Sequence, residues 1–315
     1  MHYFLLTVLA VWGSISLGGD NYFTQVELAK LSGKNFVDSR EYIEPFVIVQ
    51  TATTATSSLA DQKVRLKQYF QESLLPVRAH FSQAGAQAKR PEAIHIELPI
   101  VLTTGKEVSG IRSCNSEKCL QKLRDDEKLI VQKAEDRVEA FRKIVVDRLQ
   151  AYLLKKEYRG YEERKSNVEH IKTMIGLLPS LKESYPKCVK FFSGDFWGTT
   201  VRETAPLESF LRMEVIRIWP ERLSPVMRIT EVFEFEGPKG TLFFELPIYT
   251  NHYFDSSIRM VELIAGSASS KPSIVMTDIM EIDELKKSGL IRFLYTGQMQ
   301  QAIALYQQDE LAKIK

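Results

Sequence analysis

The densest run of chemically versatile side chains in the sequence is Tyr249-Thr250-Asn251-His252-Tyr253-Phe254-Asp255-Ser256-Ser257. His252 can serve as a general base or metal ligand, Asp255 can orient it, and Ser256 or Ser257 can act as nucleophile. His252 and Asp255 are therefore the candidate catalytic pair. Three such residues within five positions rarely assemble a triad, because its members must converge from different elements. The competing reading is structural and carries more weight. In it His252 hydrogen-bonds a neighbouring strand, Asp255 or Ser256 satisfies turn amides, and Tyr253 and Phe254 fill the core.

Other candidates are sparser. His95 and Glu97 share one face of a strand at period two and would supply two metal ligands if His252 or Asp255 approached, but any half-exposed strand shows such a face. His170 falls on a charged helix and is expected to face solvent. The sequence has no HExxH, no GxSxG, no phosphate-cradling glycine loop and no dinucleotide fingerprint, so it gives no ground for a cofactor. A binding role has its own signal. Phe233, Phe235, Phe243, Phe244, Tyr249, Tyr253 and Phe254 crowd one hairpin, and a sheet with aromatics on both faces must bury both or leave one for a ligand. Tyr249, Tyr253 and Phe254 are the candidate ligand contacts, although burial of the aromatics against the helical layers carries more weight.

The first segment decides how the cysteines are read. Tyr3 to Leu17 carries no charge, is short of the roughly 20 residues a bilayer-spanning helix needs, and matches the apolar core of a secretory signal. Ser16 and Gly18 place small side chains before a cut at Gly19. The n-region has no Lys or Arg, so an uncleaved interfacial anchor and a buried first strand stay open as alternatives. Export implies an oxidising compartment, where disulfides persist. Cys114 and Cys119, five apart in the polar stretch SCNSEKC, are then expected to close a loop that caps the following helix, since a turn brings their Cα atoms within bonding range. No His lies near them to make a metal site, and none is expected. Cys188 in YPKCVKFF reads as a small buried hydrophobe.

Hydrophobic periodicity places these residues on elements. PFVIVQTATTAT reads as a strand, and Val64 to Ala88 as a helical stretch interrupted at Pro76. Ala93 to Thr104 reads as an edge strand containing Pro99, followed by a turn bracketed by Gly105 and Gly110. From Ser116 to Arg164 the apolar residues Val138, Phe141, Val145, Leu149 and Tyr152 recur at three- and four-residue steps. Ser166 with Glu169 has capping-box spacing for a second helix, Leu181 to Phe192 makes a third, and Pro206 to Ile218 reads as one more. Alternation then takes over. Met227 to Glu236, the turn Gly237-Pro238-Lys239-Gly240 and TLFFELPIYT form a hairpin, and Ser257–Ile264 and Ser273–Ile282 add two strands. A C-terminal helix from about Asp283 to Ile314 is expected to break near Gly289 and Gly297.

Length and composition agree with this layout. The chain has 315 residues, is 44% hydrophobic and 26% charged, and has a net charge of +2 spread along its length, so neither nucleic acid nor an anionic membrane is an expected partner. The expected fold is α+β: a helical middle layer packed on a C-terminal antiparallel meander, with a C-terminal helix. The segments are 1–18 (signal), 19–112 (mixed), 113–222 (helical) and 223–315 (meander and helix), the last two forming one compact unit.

The Cys-x4-Cys loop SCNSEKC, the helical middle ending near LKESYP, the segment ESFLRMEVIRIWPERLSPVMRITEVFEF and the string IYTNHYFDSS together resemble a set of uncharacterised secreted bacterial proteins. The resemblance covers residues 108 to 282. It implies His252, Tyr253, Phe254 and Asp255 as the recurrent string and Cys114 with Cys119 as paired thiols. Where those relatives carry an Asn-Arg-Ser-Arg-like run, this chain reads MTDIMEID, so a role requiring those basic residues does not carry over. The sequence therefore points to an exported envelope protein, periplasmic or secreted, that binds an apolar small molecule or an envelope protein without catalysing a reaction. Membrane contact would come only through an uncleaved N-terminal segment. The alternative is a hydrolase or metal-dependent enzyme centred on His252 and Asp255.

Overall fold

The computed structural model describes residues 35–72, 77–80, 93–96, 105–115, 117, 119, 121–155, 167–193, 209–216, 226–251, 254–266, 271–282 and 290–315. The expected signal segment, Glu97, Pro99, Ser166, His252 and Tyr253 lie outside them. The fold is α+β, with a helical middle packed on an antiparallel sheet and a C-terminal helix across the sheet's other face.

The sheet has seven strands. β1 (Val37–Ile43) and β2 (Phe46–Thr54) form a hairpin whose turn holds a cis Glu44-Pro45 peptide. Two short strands, β3 (Val77–His80) and β4 (Ala93–Ile96), pair separately. β5 (Ser209–Ile216), β6 (Val226–Gly237), β7 (Gly240–Thr250), β8 (Phe254–Ile264) and β9 (Ser273–Ile282) follow as a meander, and β2 joins its far side to give the order β1-β2-β9-β8-β7-β6-β5, all antiparallel. The β6–β7 hairpin turns at Pro238-Lys239, with Gly240 at φ +148° where a side chain would be strained.

One face carries the helical middle: α2 (Gly105–Arg112), α3 (Asp125–Lys133), α4 (Arg137–Lys155), α5 (Asn167–Gly176), α6 (Pro179–Ser184) and α7 (Pro186–Ser193). Phe141, Val145, Leu149 and Tyr152 of α4 meet Ile229, Phe233, Leu246 and Ile258 of the sheet in one core. The opposite face is covered by α1 (Leu59–Gln71) and α8 (Leu290–Ile314). Leu66 and Phe70 of α1 with Leu311 and Ile314 of α8 bury Val232, Phe243, Val261 and Met276. Ser58 Oγ caps α1 by accepting from the Asp61 amide at 3.2 Å, and Gln62 Nε2 ties α1 to α8 through the Ile314 carbonyl at 2.7 Å.

Several local expectations change, and Leu181–Phe192, expected as one helix, is broken at Tyr185. Ser209–Ile216 is a strand, not a helix: Leu211 and Met213 face the helical core at period two, while the intervening Arg212 and Glu214 are buried too, which hides the alternation. Val77–His80 is a strand rather than the end of a helix. Gly105–Arg112 is a helix where two glycines suggested a turn. α8 runs unbroken through Gly297, which sits exposed with nothing within 4 Å of the place its Cβ would take. There the cost of glycine in a helix is only about 1 kcal/mol.

The α6–α7 corner is pressed onto the β6–β7 hairpin. A Cβ on Gly237 would stand 2.1 Å from the Ser184 carbonyl oxygen and 2.6 Å from Cδ1 of Tyr185. Gly237→Ala is expected to lower unfolding stability by about 1–3 kcal/mol, because the obstructing atom is backbone. Urea denaturation measures this, and an unchanged midpoint would show that the corner gives way freely.

Candidate functional site at the Ser256 end of the sheet

The string between β7 and β8 lies where three layers meet. β7 carries an irregularity: Thr230 pairs with Pro247 and Ile229 with Tyr249, so Ile248 and Tyr249 both enter the helical core. Tyr249 is fully buried, its ring 6.3 Å from that of Phe141 and 5.9 Å from the Arg148 guanidinium. Asn251 follows and joins two elements. Its side-chain oxygen accepts from the Met227 amide at 2.7 Å, its own amide donates to the Met227 carbonyl at 3.1 Å, and its carbonyl accepts from the Lys122 amide at 2.8 Å. Lys122 closely follows the Cys114–Cys119 disulfide, in which the sulfurs are 2.07 Å apart and the Cα atoms 4.3 Å apart. The stapled loop is thereby docked on the sheet end that carries the string.

His252 lies outside the described residues, and Phe254 and Asp255 are described only as β8 backbone, with a second register shift between Phe254 and Ser256. That shift brings Ser256 opposite Glu281 of β9. Above them α5 places His170, which is half-buried against the sheet and not solvent-facing as its charged helix suggested. Its Nδ1 is 2.5 Å from Glu281 Oε2, and its ring meets Phe46 edge-on at 6.3 Å. Ser256 Oγ lies 3.3 Å from the same carboxylate oxygen and 3.4 Å from the same ring nitrogen. A serine–histidine–acid relay needs the hydroxyl on one imidazole nitrogen and the carboxylate on the other. Here both converge on Nδ1, so the serine–histidine–acid order is not formed: Ser256 and His170 share one carboxylate oxygen of Glu281 instead of lining up on the two imidazole nitrogens. Glu281 was not singled out in the sequence. Its signal is its place one alternation beyond Ile279, on the core side of β9.

The described aromatic residues of the hairpin, Phe233, Phe235, Phe243, Phe244 and Tyr249, are consumed by packing. Phe192 stacks on Phe244 at 4.3 Å and meets Phe233 at 5.5 Å, with Phe191 5.4 Å from Phe233. On the other face Phe243 lies 5.0 Å from Phe70. An open cavity of about 570 Å³ near the disulfide is lined by Arg112, Glu135, Asp136 and Arg137. Two of these groups already serve the fold: Asp136 Oδ1 accepts the Val138 and Glu139 amides at 3.0 and 3.1 Å, and Arg137 donates to the Cys114 carbonyl at 3.3 Å. Among the described residues no three His, Cys, Asp or Glu side chains are grouped to hold a metal, and no helix is long and apolar enough to cross a membrane.

No family model matches the chain, and neither a curated protein nor a solved structure is significantly similar to it.

Among the described residues, a buried charged array lies on the α1/α8 side of the sheet, where the sequence pointed to no site. Arg212, Arg228 and Arg259 interleave there with Glu214, Glu245 and Asp278, each at most 8% exposed. Arg228 Nε donates to Glu214 at 2.6 Å and Nη2 to Glu245 at 3.3 Å; Arg259 Nε donates to Asp278 at 2.8 Å; Arg212 Nη2 is 3.1 Å from Glu214. Burial alone would push the Glu214 carboxyl up, but the three guanidinium groups outweigh it and hold it well below the usual carboxylate range. For Glu245 burial wins over the same arginines, and the carboxyl is pushed up. α8 closes the array: Gln307 donates to Asp278 at 2.8 Å, and the Tyr306 ring lies 5.0 Å from the Arg259 guanidinium. Every formal charge has an opposite within the array, so its chemistry is that of a structural lock between sheet and helices.

Proposed function

We propose that the protein is exported to the bacterial envelope, periplasmic or secreted, and acts there as a non-catalytic protein that binds an envelope partner. Kinship with the uncharacterised secreted proteins it resembles belongs to the same proposal. The Cys114–Cys119 disulfide is compatible with an extracellular location and, with the charge-free leader, supports export. The observation that carries the non-catalytic reading is the convergence of Ser256 and Glu281 on one nitrogen of His170. Of the two ligand classes, a protein partner is favoured over an apolar small molecule, because Phe233, Phe235, Phe244 and Tyr249 fill the space between sheet and helices themselves.

The second reading, a hydrolase or metal-dependent enzyme, draws on Glu281 orienting His170 beside the string that holds His252 and Asp255. One experiment separates the two. Mature protein is purified from the periplasmic fraction and assayed on p-nitrophenyl acetate beside Ser256→Ala and His170→Ala variants. The binding reading expects no turnover that either substitution removes. Hydrolysis abolished by both substitutions in folded protein would overturn it in favour of the enzyme.

A further inference from the structure

Glu262 of β8 differs from every other buried acid described above. It is 3% exposed, and among the described residues its Oε1 has no hydrogen-bond partner and it makes no ion pair. The array on the opposite face balances three acids with three arginines, whereas this carboxyl faces the α6–α7 corner with no cation in contact among the described residues. The groups around it are few. From the corner come the Tyr185 hydroxyl and the Cys188 thiol, both pushed up by burial and so neutral. From the β6–β7 turn Lys239 acts at a distance, exposed to solvent, and Glu236 of β6 bears on Tyr185. Neither Tyr185 nor Cys188 can neutralise a carboxylate: the Tyr185 hydroxyl points toward Glu262 but falls outside full hydrogen-bond geometry, and it brings no positive charge.

We propose that Glu262 is a proton-operated latch: protonated, it lets the α6–α7 corner seat on the sheet, and ionised, it drives that corner to open and expose Cys188. The physical basis is the cost of an unpaired charge in an apolar site. A solvated carboxylate loses that cost, and the way for Glu262 to reach water is for Tyr185 and Cys188 to lift. Packing makes the corner a unit, since Gly237 already touches Ser184 and Tyr185 too closely for a Cβ, so the corner seats fully or separates. Burial pushes the Glu262 carboxyl from its ordinary 4.5 up to about 7, with Lys239 and Tyr185 pulling it back down. The latch therefore works near neutrality.

Cys188 supplies the readout. Cys114 and Cys119 are joined, so it is the one free thiol of the three cysteines. The full-length mature protein and its Glu262→Gln variant are alkylated with N-ethylmaleimide from pH 5.5 to 8.5 under native conditions. Intrinsic thiol ionisation raises both rates alike, so the ratio of wild type to variant isolates the carboxyl. With a closed value near 7 and an open value near 4.5, that ratio is expected to rise roughly 30-fold across the range, since each pH unit of uncompensated ionisation is worth about tenfold. A ratio independent of pH overturns the proposal. Hydrogen exchange of wild type alone gives a second measure. The Cys188 and Val189 amides, which donate to the Tyr185 carbonyl, should lose protection above neutral pH relative to those of α4. Equal loss in both helices would mean global loosening and would also overturn it.

Discussion

Arg259→Met is expected to destabilise the protein by about 3–5 kcal/mol, the cost of removing one partner from a buried charge set. Arg259 is 2% exposed and sits at the centre of the array, with Nε on Asp278 at 2.8 Å, Nη1 at 3.5 Å from Glu214 and 3.4 Å from the Tyr306 hydroxyl. Its loss leaves three acidic groups against two guanidinium groups in a buried layer. Methionine replaces much of the aliphatic stem, so the effect is mainly electrostatic. Arg259→Lys keeps the charge but not the planar fork, and should fall between the two. A double variant distinguishes charge from shape. Asp278→Asn retains an oxygen for the Gln307 donor, now 2.8 Å from Asp278, so Arg259→Met with Asp278→Asn should cost about 1–3 kcal/mol less than the sum of the singles. Urea unfolding of the four proteins measures this. A single-variant cost below about 1 kcal/mol would mean that water reaches the array and screens it.

The array also shows where the sequence stopped being legible. The meander was readable because Met227, Ile229, Phe233 and Phe235 alternate with polar residues, and the Pro238-Lys239 turn is flanked by glycines. Arg228 and Thr230 take the polar half of that alternation, a pattern that on an antiparallel strand commonly marks the solvent side. In the fold they are buried, because α1 and α8, at opposite ends of the chain, both close over that side. No pattern within the strand reports a lid supplied by elements remote in sequence. β5 was misread for the same reason, Arg212 and Glu214 being the charges that break its apolar rhythm. Docking of β2 on β9 was equally invisible, since its register, Val49 opposite Asp278, is a property of the pair and not of either strand. By contrast, the Cys114–Cys119 link and the burial of Cys188 were readable from a polar five-residue spacing and an apolar helix.

The candidate site divides along the same line. Ser256 stood out because it lies in a run of versatile side chains, but its partners come from α5 and β9, 86 residues before it and 25 after it. Within the string itself, Asn251 has a role that the search for catalytic groups passed over. It carries no titratable proton, yet it holds the ends of β6 and the disulfide loop together through three hydrogen bonds. Residue type indicates what a side chain can do, and topology decides which partner it meets.

Stability should fall as the pH rises from 4.5 to 7, and Glu262 should be responsible. The sign follows from proton counting. In the folded chain its carboxyl holds its proton up to about 7, whereas in the unfolded chain it releases it near the ordinary 4.5, so between these values the native state binds the extra proton and stability declines with pH. Below 4.5 both states are protonated and above 7 both are ionised, and the contribution is flat. The interval of about 2.5 pH units corresponds to roughly 3 kcal/mol. Glu214 acts in the opposite sense, because its depressed carboxyl contributes stability above 4.5 that is lost as the solution becomes more acidic. The two groups thus tilt the pH dependence of stability in opposite directions on either side of about pH 4.5. Glu262→Gln mimics the protonated acid and removes one arm of this curve. Its stability relative to wild type should therefore increase by roughly 3 kcal/mol between pH 4.5 and 8, as read from urea midpoints at several pH values. A constant difference would mean that the carboxylate finds a compensating charge in the folded chain, whereas a difference confined to this window assigns the loss to one buried, unpaired group.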